Sequence, residues 1–182
     1  KMAITMPDAL KTEREELDEN EWNLINENIN VAIKEIVQYR VDEAASLEID
    51  FKERIVNIKK YLEEVKALDA DRVENVKIRL QKAIDDLKVE TDENRFEQEL
   101  IYYLEKLDIN EEKVRLANHL EYFLETLATP DSNGKKLGFI VQEMGREINT
   151  TGSKANFAPM QKAVIQMKNE LEQIKEQILN VL

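Results

Sequence analysis

The only imidazole of the chain, His119, lies in the segment EEKVRLANHL among other side chains that can do acid–base chemistry. Glu111, Arg115 and His119 follow one another at four-residue spacing, and Glu112 lies beside the same row. On a helix this spacing places a carboxylate, a guanidinium and an imidazole on one face. Such a face could transfer protons and bind phosphate, although ordinary surface ion pairs of an acidic helix have the same spacing.

Polar side chains recur at three- and four-residue spacing in the segment 134–154. They are Gln142, Glu143, Arg146, Glu147 and Thr150. Glu143 and Glu147 are four residues apart, a spacing at which two helical carboxylates can share Mg²⁺ or Mn²⁺ while water completes the coordination shell. A charged helix face that ends at a glycine would show the same pattern, so the spacing leaves both interpretations open.

The end of the same segment carries groups that can bind a phosphate. Asn149, Thr150, Ser153 and Lys154 surround Gly152, and a helix end of this composition can offer backbone N–H groups and positive charge. The local charge agrees with this prediction. Residues 133–168 contain six Lys and Arg against two Glu, a net charge of +4, in a chain whose net charge is −12.

Composition excludes several classes of protein. An excess of 38 Asp and Glu over 26 Lys and Arg excludes a non-specific, charge-driven coat on nucleic acid, but it leaves room for a local basic site. The absence of cysteine excludes disulfides, thiolate metal sites and a Cys nucleophile. No stretch approaches the roughly 18 apolar residues of a membrane helix, and no secretory leader is recognisable. We therefore expect a cytoplasmic protein with no membrane partner.

Glycine and proline are absent between Pro7 and Pro130, and this gap predicts an all-α fold. One long helix is predicted from about Asp18 to Leu68, with a bend near residues 39–43. Its first apolar run is Trp22, Ile25, Ile29, Ala32 and Ile36; the second is Ala44, Leu47, Phe51, Ile58, Tyr61, Val65 and Leu68. Four or five shorter helices are expected to pack antiparallel along it, at about 70–89, 92–107, 109–128, 134–150 and 157–182.

Three regions follow from these elements. Residues 1–17 are expected to form an irregular or short-helix lead-in, residues 18–129 the long helix with helical hairpins, and residues 130–182 a C-terminal region with the final helix. The apolar residues of the last two helices are predicted to form core. They are Leu137, Ile140, Val141, Met144 and Ile148, then Val164, Met167, Leu171, Ile174 and Ile178.

The order of residues in the second half resembles the C-terminal region of the YicC-like family, bacterial stress-associated proteins described as metal-dependent endoribonucleases. The resemblance rests on NRFEQEL at 94–100, on DINEE at 108–112 followed by Arg115, Leu116 and His119, and on GKKL at 134–137 followed by Phe139, Gln142, Glu143, Arg146, Glu147, Asn149, Thr150, Ser153 and Lys154. It is dense over about residues 90–182. Upstream it is thinner and depends on Arg40, Glu43 and Leu47.

The resemblance implies metal-dependent cleavage of RNA phosphodiester bonds. We assign candidate roles within the matching residues. The catalytic candidates are His119, Arg115, Glu143, Arg146 and Glu147; the RNA phosphate ligands are Lys135, Lys136, Asn149, Thr150, Ser153 and Lys154; the ligands of Mn²⁺ or Mg²⁺ are Glu143, Glu147 and Glu112. Further implied are RNA but no DNA as partner and a homo-oligomer such as a hexameric ring.

Three positions depart from the family pattern. Ala44 stands where a glycine is usual, Val114 where an aspartate often precedes Arg115, and Gly138 where an aspartate usually precedes Phe139. Family members are also longer and begin with a strand-containing region that is not found in this sequence. We therefore expect a C-terminal fragment or a separate domain of such an enzyme.

The alternative is a non-catalytic helical module for oligomerisation or protein interaction, with partners such as RNA-decay proteins. Under this alternative, Gln142, Glu143, Arg146 and Glu147 would form an interhelical salt-bridge network, and His119 would have no role in chemistry. The RNA target and the identity of the metal are not specified by the sequence.

Overall fold

The structure is a computed structural model that describes residues 18–87, 93–130 and 132–181. Within these ranges the chain forms five helices and no strand. The helices are α1 (Glu19–Leu87), α2 (Glu93–Lys106), α3 (Asn110–Leu127), α4 (Gly134–Lys154) and α5 (Ala158–Ile178). The predicted all-α fold, with one long first helix and four shorter ones, is confirmed. The predicted lead-in at residues 1–17 lies outside the described residues.

The first helix is longer than predicted. The separate helix predicted to begin near residue 70 is wrong, because α1 continues without a break to Leu87. No glycine or proline interrupts this stretch, so nothing in the backbone forces a turn there. Arg72, which is 4% exposed, donates hydrogen bonds to Asp69 and to the carbonyl oxygen of Leu107. These bonds hold the unbroken segment of α1 in the packed part of the chain.

The chain divides into two units, residues 1–43 and residues 44–182. In the first unit the described residues, 18–43, form the N-terminal part of α1, and every one of their side chains is exposed. The first predicted apolar run, from Trp22 to Ile36, is therefore on the surface of the single chain.

In the second unit, α1 packs antiparallel to α3. Three contacts establish this direction: the Phe51 and Phe123 rings, the ion pair of Lys59 with Glu121, and the ion pair of Asp69 with Lys113. Residue numbers rise along α1 as they fall along α3. Because α3 and α4 are linked by residues 128–133 and form many contacts with each other, the core continues from α1 through α3 to α4.

α4 and α5 pack closely and antiparallel, with glycines at the points of approach. A Cβ atom added at Gly152 would lie 3.0 Å from Val164, and one added at Gly145 would lie 3.4 Å from Leu171. All ten core residues predicted for these two helices are buried, so that prediction is confirmed. Small residues at the contact allow the two backbones to come close while the larger side chains fill the core.

The second apolar run of α1 is buried only in part. Phe51, Ile58 and Val65 are fully buried; Leu47, Tyr61 and Leu68 pack at the edge of the core. Ala44, the first residue of the run, is exposed. None of the helices in the described ranges is long and apolar enough to cross a membrane.

Candidate functional site

The predicted catalytic residues lie in the central part of the α3–α4 pair. Lys154 contacts Glu112 at one end of this pair, and the Lys136 ammonium group lies over the Tyr122 ring at the other, 4.7 Å from its centroid. His119 lies between these contacts along α3. Glu143 and Glu147 lie between them along α4, so the antiparallel packing places all three residues along the same stretch of the helix pair, although they do not form a group that could hold a metal ion.

Glu112 is bound by a lysine. Its side chain is buried, and Lys154 Nζ lies 2.7 Å from Glu112 Oε1 and donates a second hydrogen bond to the Asp108 carbonyl oxygen at 2.9 Å. The other carboxylate oxygen, Oε2, is buried and has no hydrogen-bond partner within the described part of the chain. Glu112 therefore takes part in an ion pair that joins α3 to α4.

The three predicted metal ligands do not form one site. Across the described ranges, no group of three or more His, Asp or Glu side chains could together hold a metal ion. The prediction that Glu112 completes such a site with Glu143 and Glu147 is wrong, because the Glu112 carboxylate is neutralised by Lys154 near the end of α4. Glu147 precedes Lys154 by two helical turns, about 10 Å along the axis.

Glu143 and Glu147 remain as a pair on one helix, with different environments. Glu143 is partly exposed and forms an ion pair with Arg146, at 3.0 Å. Glu147 is only 8% exposed, and no side chain in the described ranges bonds to its carboxylate. Its oxygens are not among the buried atoms that lack a partner, so they still reach solvent, and water or a cation can satisfy them.

Arg115 and His119 lie on the same side of α3 as predicted, but they do not form a closed cluster. Arg115 forms an ion pair with Glu111, and both side chains are more than half exposed. His119 is half-buried and forms no hydrogen bond with any described residue. An exposed ion pair contributes little to stability, so Arg115 can exchange its partner for a phosphate at small cost.

The predicted phosphate ligands form two groups at opposite ends of α4. Lys135 and Lys136 are exposed in its first turn, whereas Asn149, Thr150, Ser153 and Lys154 occupy its last two turns. Eighteen residues of helix separate Lys135 from Ser153, which is about 27 Å. One phosphate cannot contact both groups, although an extended RNA strand could.

The second of these groups differs from the prediction in its backbone chemistry. α4 continues to Lys154, so its end offers carbonyl oxygens and not the predicted free N–H groups. Gln161 Nε2 donates to the carbonyl oxygens of Gly152 and Ala155 at 2.5 Å each. Lys154 is bound to Glu112, and the Ser153 hydroxyl donates to the Thr150 carbonyl oxygen at 2.9 Å, which leaves the exposed Asn149 side chain as a donor at this end.

Comparison with known proteins identifies the family. The sequence profile described as Endoribonuclease YicC-like, C-terminal, matches residues 65–182, which include α2 to α5 and the last part of α1. The chain belongs to the YicC-like family. The resemblance inferred from the sequence is therefore confirmed, and the candidate site lies wholly within the matched YicC-like region.

Two curated relatives carry the description "Probable endoribonuclease YicC". The relative from Clostridioides difficile (strain 630) is 35% identical over 180 residues, which are 96% of this chain and 61% of that protein. The relative from Haemophilus influenzae is 35% identical over 103 residues, which are 57% of this chain and 36% of that protein. The chain thus spans less than two thirds of the length of either YicC relative.

Sequence reasoning did not assign a role to Phe139, which is 68% exposed on α4. Its position could have been found from helical phase, since Phe139 lies four residues after Lys135 and seven before Arg146, both exposed. The ion pairs of Asp69 with Arg72 and Lys113 were also missed. Burial acts to raise the pKa of Asp69, but hydrogen bonds from Lys113 and Arg72 outweigh it and hold that pKa below its ordinary value.

Proposed function

We propose that the protein is an endoribonuclease that cleaves RNA phosphodiester bonds. The observation that carries this proposal is the family match over residues 65–182, together with the two relatives described as probable endoribonucleases. The α3–α4 region within that match contains the imidazole, carboxylates and guanidinium groups that such a reaction uses.

The proposed chemistry assigns each group a task. RNA cleavage requires a base to deprotonate water or the adjacent 2′-hydroxyl, and positive charge where negative charge develops on the phosphate. His119, half-buried in the α3–α4 region, is the proposed acid or base. Arg115 and Arg146 are exposed, and among the described residues each pairs with a carboxylate on its own helix, so they can bind the phosphate.

A divalent cation is proposed at Glu143 and Glu147. Two carboxylates fit Mg²⁺ or Mn²⁺, because these ions are often held by one or two carboxylates together with water and substrate phosphates. The Glu147 carboxylate has no donor in the described ranges and its oxygens still reach solvent, so it is available to a cation. A bound cation would supply positive charge next to the scissile phosphate and lower the pKa of a water molecule.

The alternative, a non-catalytic helical module, is not favoured. It requires an interhelical salt-bridge network among Gln142, Glu143, Arg146 and Glu147. The ion pair in this group, Glu143 with Arg146, lies within α4, and the described residues contain no bond from this group to another helix. Assembly into a homo-oligomer is compatible with either function, and we propose it for the ribonuclease; analytical ultracentrifugation measures it directly.

The test is cleavage of a labelled RNA by the full chain with Mn²⁺, with Mg²⁺ and with chelator. We expect metal-dependent cleavage that His119→Ala abolishes and that the double variant Glu143→Ala, Glu147→Ala abolishes. The matched control is Glu172→Ala, Glu176→Ala, which removes two exposed carboxylates at the same spacing from α5. Cleavage that survives in the α4 double variant, or that is equal in chelator, would contradict the proposed site.

A further inference from the structure

The outer face of α4 is a continuous row of exposed side chains without a carboxylate. The row consists of Lys135, Phe139, Gln142, Arg146, Asn149 and Ser153, all exposed. Their spacing of four, three, four, three and four residues places them on one side of the helix over about 27 Å. We name these six residues the outer face of α4.

Phe139 is the one apolar residue among the six residues of the outer face of α4. Its ring is 68% exposed, although it lies between a lysine and an amide on a polar row. The core side of α4 is already filled by buried residues such as Ile140 and Val141, so Phe139 contributes nothing to that core. An exposed aromatic ring between a cation and an amide offers a surface on which a nucleic-acid base can stack.

We propose that the outer face of α4 binds an unpaired stretch of RNA, with a base stacked on Phe139. The proposal rests on the proposed ribonuclease function and deepens it by naming single-stranded RNA as the substrate. Single-stranded RNA combines phosphates, which bind Arg and Lys, with splayed bases, which stack on aromatic rings and bond to amides. A duplex would keep its bases stacked inside and could not use Phe139.

Charge favours RNA over an acidic or neutral protein surface as the occupant. Lys135 and Arg146 supply cations on the face, and Lys136 is exposed beside Lys135. α4 carries four Lys and Arg against two Glu, a net charge of +2 in a chain of −12, so a polyanion meets less repulsion at this helix than over the chain as a whole. Glu143 lies at the edge of this face, next to Gln142, so a strand lying along the face would pass this proposed catalytic residue.

The test is the affinity of the full chain for a short labelled single-stranded RNA, measured by fluorescence anisotropy at two salt concentrations. We expect Phe139→Ala to weaken binding about 5- to 150-fold, the range for loss of one stacked base. Phe139→Trp should retain binding. Tyr102→Ala, which removes a ring 57% exposed on α2, is the matched control and should bind as the unaltered chain does.

Two further measurements exclude other occupants. Arg146→Ala should lower the slope of log affinity against log salt by about 0.7, the value for one phosphate contact in a single strand. Duplex RNA should compete weakly. The proposal would be overturned if Phe139→Ala bound the RNA as tightly as the unaltered chain, or if duplex RNA competed as well as single-stranded RNA. It would also be overturned if Phe139→Ala lost self-association but kept its affinity for RNA. If cleavage is absent but binding depends on Phe139, the proposed function fails and the RNA-binding face stands.

Discussion

The ammonium group of Lys154 lies 2.7 Å from the carboxylate of Glu112 and so joins the last residue of α4 to the first turn of α3. Each charge also lies where the helix dipole favours it, with the carboxylate at a helix N-terminus and the ammonium at a C-terminus. The contact fixes the relative position of the two helices that hold His119 and Glu143.

Removing the lysine should destabilise the chain, because Glu112 would remain buried without its cation. For Lys154→Met we expect the free energy of unfolding to fall by about 2–3 kcal/mol, less than for a fully buried pair because the lysine is 31% exposed. Adding Glu112→Gln should restore part of the loss. Urea denaturation measures both variants, with Lys175→Met as the control for an exposed ion pair on α5. Strictly additive effects of Lys154→Met and Glu112→Gln would show that the two residues do not interact.

Stability should depend on the ionisation of Asp69. Because hydrogen bonds from Lys113 and Arg72 hold the folded pKa of Asp69 below its ordinary value, Asp69 stabilises the fold at pH values above its unfolded pKa of about 3.9. This contribution is lost as pH falls through the folded pKa. We expect Asp69→Asn to cost about 2 kcal/mol near neutral pH and progressively less below about pH 4. Denaturation across this pH range compares it with Asp71→Asn, an exposed neighbour. A constant difference between Asp69→Asn and the unaltered chain at all pH values would contradict the assignment.

The sequence predicts the cores of α4 and α5 well because a helical period separates a buried face from a solvent face. The ten predicted core residues of these helices are all buried. The exposure of Glu147 was predicted wrongly, because the pattern of polar residues grouped it with Gln142 and Arg146 on the solvent face. Glu147 lies three residues after the buried Met144 and is buried with it. Residue type and helical phase disagreed at this position, and packing decided the outcome.

The end of α1 could not be predicted from local signals. Asp71 followed by Glu74 has the spacing of a helix start, but both residues lie inside α1. What stabilises this stretch is the bonding of Asp69 to Lys113, 44 residues away, and of Arg72 to Leu107, 35 residues away. Lys154 and Glu112, which pair with each other, are likewise 42 residues apart. Because this pairing is not visible in the sequence, we predicted Lys154 as a phosphate ligand and Glu112 as a metal ligand.

The packing of α1 on α3 should depend on the Phe51–Phe123 contact. The two rings are fully buried, 5.9 Å apart between centroids and nearly perpendicular, at 81°. We expect Phe51→Leu and Phe123→Leu each to cost about 1–2 kcal/mol, with a coupling of about 0.5–1.5 kcal/mol in a double-mutant cycle. The unfolding free energies of the four chains give this coupling. A coupling near zero would show that the edge-to-face geometry adds nothing to burial.

The glycines of α4 should respond differently to substitution by alanine. A Cβ at Gly138 would have no atom within 4 Å, so Gly138→Ala should stabilise the helix by about 0.5–1 kcal/mol and raise Tm by a few degrees. At Gly152 the Cβ would lie 3.0 Å from Val164 and would push α5 away, so Gly152→Ala should lower Tm. At Gly134 it would collide with the Val181 carbonyl oxygen, and we expect a larger loss. Calorimetry of the three variants measures this order. A gain in Tm for Gly152→Ala would mean that α4 and α5 are farther apart than the structure places them.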